Sequence, residues 1–239
     1  MVILGIGLYY LLGPDGVVLG VGLSYSSYLA RIVNLFRKER PDFSLLKERV
    51  GFLLNSYVLD LSNVFIGSID KIIVAPLFGF LILGNYQLGI QFLGVLYIIP
   101  NVFYKFLITQ QASGVSIDRL TKFVIVCAVI LALIGVFVAP AALPVFFPKF
   151  TETSKVLPIV SLAVIPNSVN LVFVSKFLAF EKIRFVLFGS MIFLAVQICG
   201  IIVLGSLYGI TGIAVSLVLS ETIQTIYYFI AKRVLISDK

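Results

Sequence analysis

The amino-acid sequence predicts an all-α fold, a polytopic transmembrane helical bundle of about eight crossings, and three observations carry that reading. First, 60% of the 239 residues are hydrophobic and 12% charged, with a mean hydropathy of +1.13, far from the roughly 45–50% apolar and 25% charged mix of soluble domains. Second, apolar runs near the roughly 20 residues needed to cross a bilayer follow one another with short connections. Third, 15 of the 18 Lys and Arg residues fall in or beside one alternating set of those connections, as cytoplasmic loops require.

Taken in order, the crossings are 1–12, 16–36, 50–78, 83–108, 119–141, 154–178, 183–206 and 209–231. At about 1.5 Å per residue the first is too short to span, so the chain is expected to begin partway through a helix. No basic segment followed by a small-residue cleavage site opens the chain, so targeting is expected to come from the helices themselves. The first set of connections holds Arg31, Arg37, Lys38, Arg40, Lys47 and Arg49, then Lys105, Arg119 and Lys122, then Lys176, Lys182 and Arg184, then Lys232, Arg233 and Lys239. The opposite side receives Lys71, Lys149 and Lys155. The expected location is therefore the cell (plasma) membrane, multi-pass, with the C-terminus cytoplasmic.

The net charge of +7 is thus a topology signal, and nucleic acid is not an expected partner. Cys127 and Cys199 lie inside apolar runs and read as small buried hydrophobes. The absence of His removes the commonest transition-metal ligand and the usual general base near neutral pH. The chain is expected to be no enzyme and to need no metal or cofactor.

An internal repeat refines the plan. A shift of 196 residues superposes Gly13, Gly16, Ser24 and Arg37 on Gly209, Gly212, Ser220 and Arg233. Both segments run from the outer to the inner side, so the halves would be parallel repeats related by an axis along the membrane normal. The expected organisation is the last two helices of an incomplete N-terminal lobe in 1–36, a cytoplasmic basic linker in 37–49, and a C-terminal six-helix lobe in 50–235. The basic stretch 31–49 would also attract anionic head groups.

Charge within a span costs about 2.5–3.5 kcal/mol on insertion scales, so polar residues there are functional candidates. Ser56, Asp60, Asn63, Gly67 and Asp70 recur at helical spacing on the 50–78 run and would share one face, with Lys71 able to join it or snorkel outward. The stripe reads as a cavity lining in which Asp60 or Asp70 binds a cation or proton, or as structural interhelical bonding. Glu221 lies near the middle of 209–231 with Ser220 beside it and Gln224 a turn away; it suits proton coupling or a plain interhelical bond. Pro100 and Pro166, each followed by Asn, are kink candidates, and Pro140, Pro144 and Pro148 read as helix-ending outer-loop residues. Tyr86 and Tyr208 read as interfacial anchors.

The segment Ser68-Ile69-Asp70-Lys71-Ile72-Ile73-Val74-Ala75-Pro76-Leu77-Phe78-Gly79, followed by Leu83-Gly84-Asn85-Tyr86, resembles the opening of the second lobe of polysaccharide flippases of the multidrug/oligosaccharidyl-lipid/polysaccharide exporter superfamily. Pro144-Val145-Phe146-Phe147-Pro148-Lys149-Phe150, leading to Val156-Leu157-Pro158-Ile159, and the stretch from Gly209 to Ser220 are similar to later parts of that lobe. The resemblance implies two parallel six-helix lobes rocking around a cavity that takes the head group of a lipid-linked oligosaccharide, with Asp70 and Lys71 at positions where the family carries charged cavity residues. Against that pattern the chain is short by roughly the first four helices. The function expected is a membrane flippase for lipid-linked oligosaccharide or polysaccharide precursors working by alternating access. Its partners would be membrane lipid, the lipid-linked substrate and a coupling cation or proton. The alternatives are a cation-coupled multidrug-type antiporter of the same superfamily, an intramembrane lipid-dependent glycosyltransferase, and an inactive or partial membrane fragment. The candidate cavity residues are Asp60, Asn63, Asp70, Lys71, Glu221 and Gln224.

Overall fold

The computed structural model describes residues 2–38, 50–51, 54, 57–58, 61, 64–65, 67–112, 118–148, 150, 152–180 and 182–237. All regular structure among them is α-helical. The chain divides into two compact units, Met1–Leu54 and Asn55–Lys239. Among the described residues, five helices are long and apolar enough to cross a membrane: Pro14–Asn34, Ile69–Gln110, Arg119–Phe137, Thr153–Ala179 and Ile183–Arg233.

In the first unit, α1 (Val2–Leu12) and α2 (Pro14–Lys38) form an antiparallel hairpin. Gly13 turns the chain at φ +65°, its N–H donating to the Tyr9 carbonyl at 2.8 Å and its own carbonyl accepting from Gly16 at 3.0 Å. Pro14 then opens α2, where its missing N–H costs nothing and its fixed φ suits the first turn. The arms touch backbone to backbone. A Cβ on Gly16 would collide with the Leu8 carbonyl, and one on Gly20 would sit 2.7 Å from the Gly5 Cα.

The second unit contains α3 (Ile69–Ala112), α4 (Asp118–Phe137), α5 (Ala139–Phe146), α6 (Thr153–Leu162), α7 (Val164–Ala179) and α8 (Ile183–Ser237). The expected continuous crossing over 50–78 is interrupted at Gly67–Ser68, which form a turn with the Ser68 N–H donating to the Phe65 carbonyl at 3.0 Å. Asp70 therefore stands in the first turn of a new helix, and Gly67 does not share a continuous helical face with it. Of the polar stripe, Ser56, Asp60 and Asn63 lie outside the described residues. α3 is broken in turn at Gly79 (φ 83°, ψ 166°). A straight helix would hold Asp70 and Tyr86 about 24 Å apart, yet their side chains interact, so the chain folds back there.

Pro140, Pro144 and Pro148, expected to end a helix, do more than that. α4 stops at Phe137, and Pro140 sits in the first turn of the short helix α5, which also contains Pro144; Pro148 lies in the turn that follows. The expected crossing over 154–178 consists of two helices, α6 and α7, that meet at Ala163 (φ −63°, ψ −18°). The reason is Pro166, which cannot donate to the Leu162 carbonyl and is tolerated in the first turn of α7. Together these helices form the most deeply buried of the five spans.

α8 is itself a hairpin. Gly209 has φ 59° and ψ −137°, a left-handed φ that strains residues with a Cβ. The contacting pairs Leu204–Gly212, Gly200–Ser216, Gln197–Ser220 and Gly189–Tyr228 step outward symmetrically from that turn, as two antiparallel arms require. The turn at Gly209 and the pressure of Gly212 on the Leu204 carbonyl reproduce those of Gly13 and of Gly16 on Leu8. The shared Gly-x-x-Gly spacing thus has one local geometry in both places.

The core of the second unit gathers Val74, Leu93, Val160, Val164, Ile201 and Ile213 from α3, α6, α7 and both arms of α8. A second cluster packs Phe173 and Phe177 of α7 against Val186 and Tyr228 of α8. The polarity of the bundle is inverted relative to a water-soluble fold. Phe80, Leu81, Phe137, Val145 and Leu207 are exposed, whereas Ser161, Ser168, Ser175, Ser216 and Ser220 are fully buried. Small and hydroxylated side chains inside with large apolar ones outside are how helices pack in lipid, where close backbone approach and interhelical hydrogen bonds replace hydrophobic burial.

Candidate functional site

The longest connected set of side-chain hydrogen bonds among the described residues runs along the second arm of α8. Ser216, Ser220, Glu221, Gln224, Thr225 and Tyr228 recur at steps of three and four, so they share one face. That face is turned inward, with Ser216, Ser220, Glu221 and Tyr228 all buried. A carboxylate so placed must be matched by donors, because an unpaired buried charge is penalised far more than a buried amide.

α7 supplies the donors. Asn167 Nδ2 donates to Glu221 Oε1 at 3.0 Å, and Asn170 Nδ2 donates to Glu221 Oε2 at 2.8 Å. Asn170 also reaches the Glu221 main-chain carbonyl at 3.1 Å and Gln224 Oε1 at 3.2 Å, while its own Oδ1 accepts from Thr225 Oγ1 at 2.7 Å. The break at Ala163 starts α7 with the register that puts Asn167 and Asn170, one turn apart, on the side facing Glu221. Pro166 thus contributes through the helix it starts, and its carbonyl lies 3.3 Å from Thr225 Oγ1.

The set continues in both directions. Toward the Arg233 end, Gln224 Nε2 donates to the Tyr228 hydroxyl at 3.2 Å, which in turn donates to the Val186 carbonyl at 3.3 Å. Toward the Gly209 turn, Ser220 Oγ donates to Gln197 Oε1 at 2.9 Å on the facing arm. Beyond Gln197 stands Tyr86, fully buried and in electrostatic contact with both Gln197 and Asp70.

Of the candidate residues, Glu221 and Gln224 are brought together, joined through Asn170. Asp70 is 8% exposed, its Oδ1 accepting from the Lys71 N–H at 2.8 Å, and no hydrogen bond among the described residues joins it to Glu221 or Gln224. Lys71 is exposed and its Nζ donates to the Gly67 carbonyl at 3.0 Å. Asp60 and Asn63 lie outside the described residues. Tyr86 is corrected from an interfacial anchor to a fully buried core residue; Tyr208 is 67% exposed. Cys199 is exposed instead of buried, and both cysteines are free.

Sequence reasoning missed Asn167, Asn170 and Gln197 as site residues. The available signal was a polar pair one turn apart after a proline, and a single Gln in an otherwise apolar run; neither says which helix it faces. Replacing Asn170 with Ala is expected to lower stability by about 2 kcal/mol, because it strips donors from a buried carboxylate. Asn167→Ala, which removes one bond, should cost less, and denaturant midpoints in detergent would rank the two.

Comparisons of the chain with protein-family models, with curated proteins and with solved structures yield no match.

Proposed function

We propose that this chain acts as an ion-coupled membrane transporter of the polysaccharide-flippase type, moving the head group of a lipid-linked oligosaccharide across the plasma membrane by alternating access. The observation that carries the coupling is the Glu221 carboxyl, buried and held by two amides of a facing helix inside the bundle. Polar groups are kept at such depth where ions or substrates must be handled.

The flippase assignment is supported by the resemblance of the Ser68–Tyr86 segment and of Gly209–Ser220 to that family. The parallel two-lobe arrangement is supported by the matching hairpins at Gly13 and Gly209. In this reading the folds at Gly79 and Gly209 divide long helices into separate crossings, giving about eight with the basic loops and the C-terminus in the cytoplasm. Glu221 would serve a cation-coupled multidrug-type antiporter equally well, so substrate decides between the two.

The test is reconstitution of the purified full chain into vesicles carrying a fluorescent lipid-linked oligosaccharide. Protein-dependent movement of the label between leaflets, with loss of surface glycan in cells lacking the gene, is the expected result. No movement together with unchanged surface glycans would sink the proposal, and ion-driven efflux of a cationic dye in its place would favour the antiporter.

A further inference from the structure

Two recesses open on the turn of the α8 hairpin at Gly209, the end of the hairpin opposite Arg184 and Arg233. The larger, of about 430 Å3, lies between the second arm of α3, the start of α6 and the turn itself, where Leu81, Asn85, Glu152, Lys155 and Ile210 line it. Its volume falls within the range of about 300–1,000 Å3 typical of ligand sites. The smaller, of about 250 Å3, lies along the hairpin against Leu204, Gly212 and Val215. Tyr208 and Thr211 belong to both, so the recesses meet at the turn.

The walls are tied in place by hydrogen bonds. Thr153 Oγ1 at the start of α6 shares its proton between the Asn85 carbonyl at 3.0 Å and Asn85 Oδ1 at 3.1 Å. Asn85 Nδ2 in turn donates to the Leu81 carbonyl at 3.0 Å, and Thr211 Oγ1 donates to the Tyr208 carbonyl at 2.7 Å across the turn. A ligand therefore meets a surface that is already formed.

Charge in this double recess is sparse and balanced. Glu152 and Lys155 are its only charged lining residues, and they form an exposed ion pair at 2.9 Å, a kind of contact that contributes little to stability. The pairing leaves capacity on both sides. The Lys155 ammonium has three N–H donors and uses one on Glu152 Oε1, and the carboxylate keeps further lone pairs. An anion drawn to Lys155 is repelled by Glu152, and a cation drawn to Glu152 is repelled by Lys155. A head group that carries both signs satisfies the two together, and the apolar recess beyond Tyr208 suits the chain attached to it.

We propose that this double recess binds a zwitterionic phospholipid with a primary amine, its phosphate on Lys155, its ammonium on Glu152 and an acyl chain along the apolar recess past Tyr208. The site goes beyond the transporter reading and does not depend on what the chain moves.

The chain contains no Trp, so Tyr208→Trp places the sole indole at the junction of the recesses, at a position 67% exposed and outside the core. The full chain carrying this change is reconstituted in mixed vesicles of phosphatidylethanolamine and phosphatidylglycerol, with brominated chains on one lipid or the other. Bromine quenches the indole on contact, so the two mixtures report which lipid occupies the site. Phosphatidylethanolamine is expected to be preferred by about threefold, the scale of an exposed charge pair. Phe137→Trp, at an exposed apolar position outside both recesses, is the control and should show no preference. In the Tyr208→Trp background, Glu152→Gln leaves an unbalanced cation and is expected to turn the preference toward phosphatidylglycerol. Glu152→Gln combined with Lys155→Gln should remove the preference; both side chains are exposed, so the fold should be kept. Equal quenching by the two lipids at Tyr208→Trp would overturn the proposal, as would a preference for phosphatidylethanolamine that survives the double substitution. A preference for phosphatidylglycerol before either charge is changed would also overturn it, and would mark the recess as a site for a head group bearing phosphate alone.

Discussion

Glu221→Gln is expected to reduce ion-coupled translocation by about 100-fold, a loss of roughly 2.7 kcal/mol of coupling free energy, while the protein still folds. The change keeps the shape and removes the ability to gain and lose a proton. The amide oxygen can still accept from Asn170 or Asn167, but the new NH2 group faces the donor of the other, so one bond is lost and one side chain must flip. That local cost is about 1 kcal/mol, too small to unfold the bundle and much smaller than the expected functional loss. Measuring initial rates of substrate movement under an imposed pH gradient, together with unfolding midpoints, separates the two effects. A Glu221→Gln variant that transports at the parental rate would remove Glu221 from the mechanism, and one that no longer folds would mark it as structural.

The second large effect is on stability. Gly212→Ala should destabilise the second unit by about 3 kcal/mol, because the added methyl collides with the backbone carbonyl of Leu204 and a backbone cannot swing aside as a long side chain can. Relief requires the arms of the α8 hairpin to separate. That separation would also lengthen the Ser220–Gln197 bond and move Glu221 relative to α7. Gly22→Ala, where nothing lies within 4 Å of the added carbon, is the control and should change stability by no more than about 0.5 kcal/mol. Chemical unfolding in detergent followed by helical circular dichroism reads both. Equal midpoints for Gly212→Ala and the parent would show that the arms do not press together at this turn.

Much of the architecture was legible because the bilayer imposes simple demands on a sequence. The apolar runs forecast an all-helical chain with helices long enough to span a membrane, and the Gly-x-x-Gly segments at Gly13 and Gly209 fall where the chain turns with positive φ. The Gly-x-x-Gly repeat was readable for the same reason: glycine is required where two backbones meet, as Gly16 meets Leu8 and Gly212 meets Leu204. Less legible was the division of the 154–178 run into α6 and α7. A proline can kink, start or merely be tolerated in a helix, and the outcome depends on what the flanking turns contact. The prominence of Asp70 and Lys71 as an adjacent pair likewise concealed that they diverge, one into the core and the other outward.

By itself, the sequence determined that this is an all-helical chain with apolar spans, basic residues gathered in alternate connections between apolar runs and a carboxylate in the middle of its last run. These are one-dimensional properties, set by composition and by spacing along a single helix. Only the tertiary structure decided the company Glu221 keeps. Asn167 and Asn170 are more than fifty positions away, and their selection as its partners depends on the fold at Gly209, the break at Ala163 and the rotation of α7 against α8. The physical reason is that an interhelical hydrogen bond is fixed by the orientation of two faces at once, and each face taken alone is an ordinary polar interruption of an apolar helix.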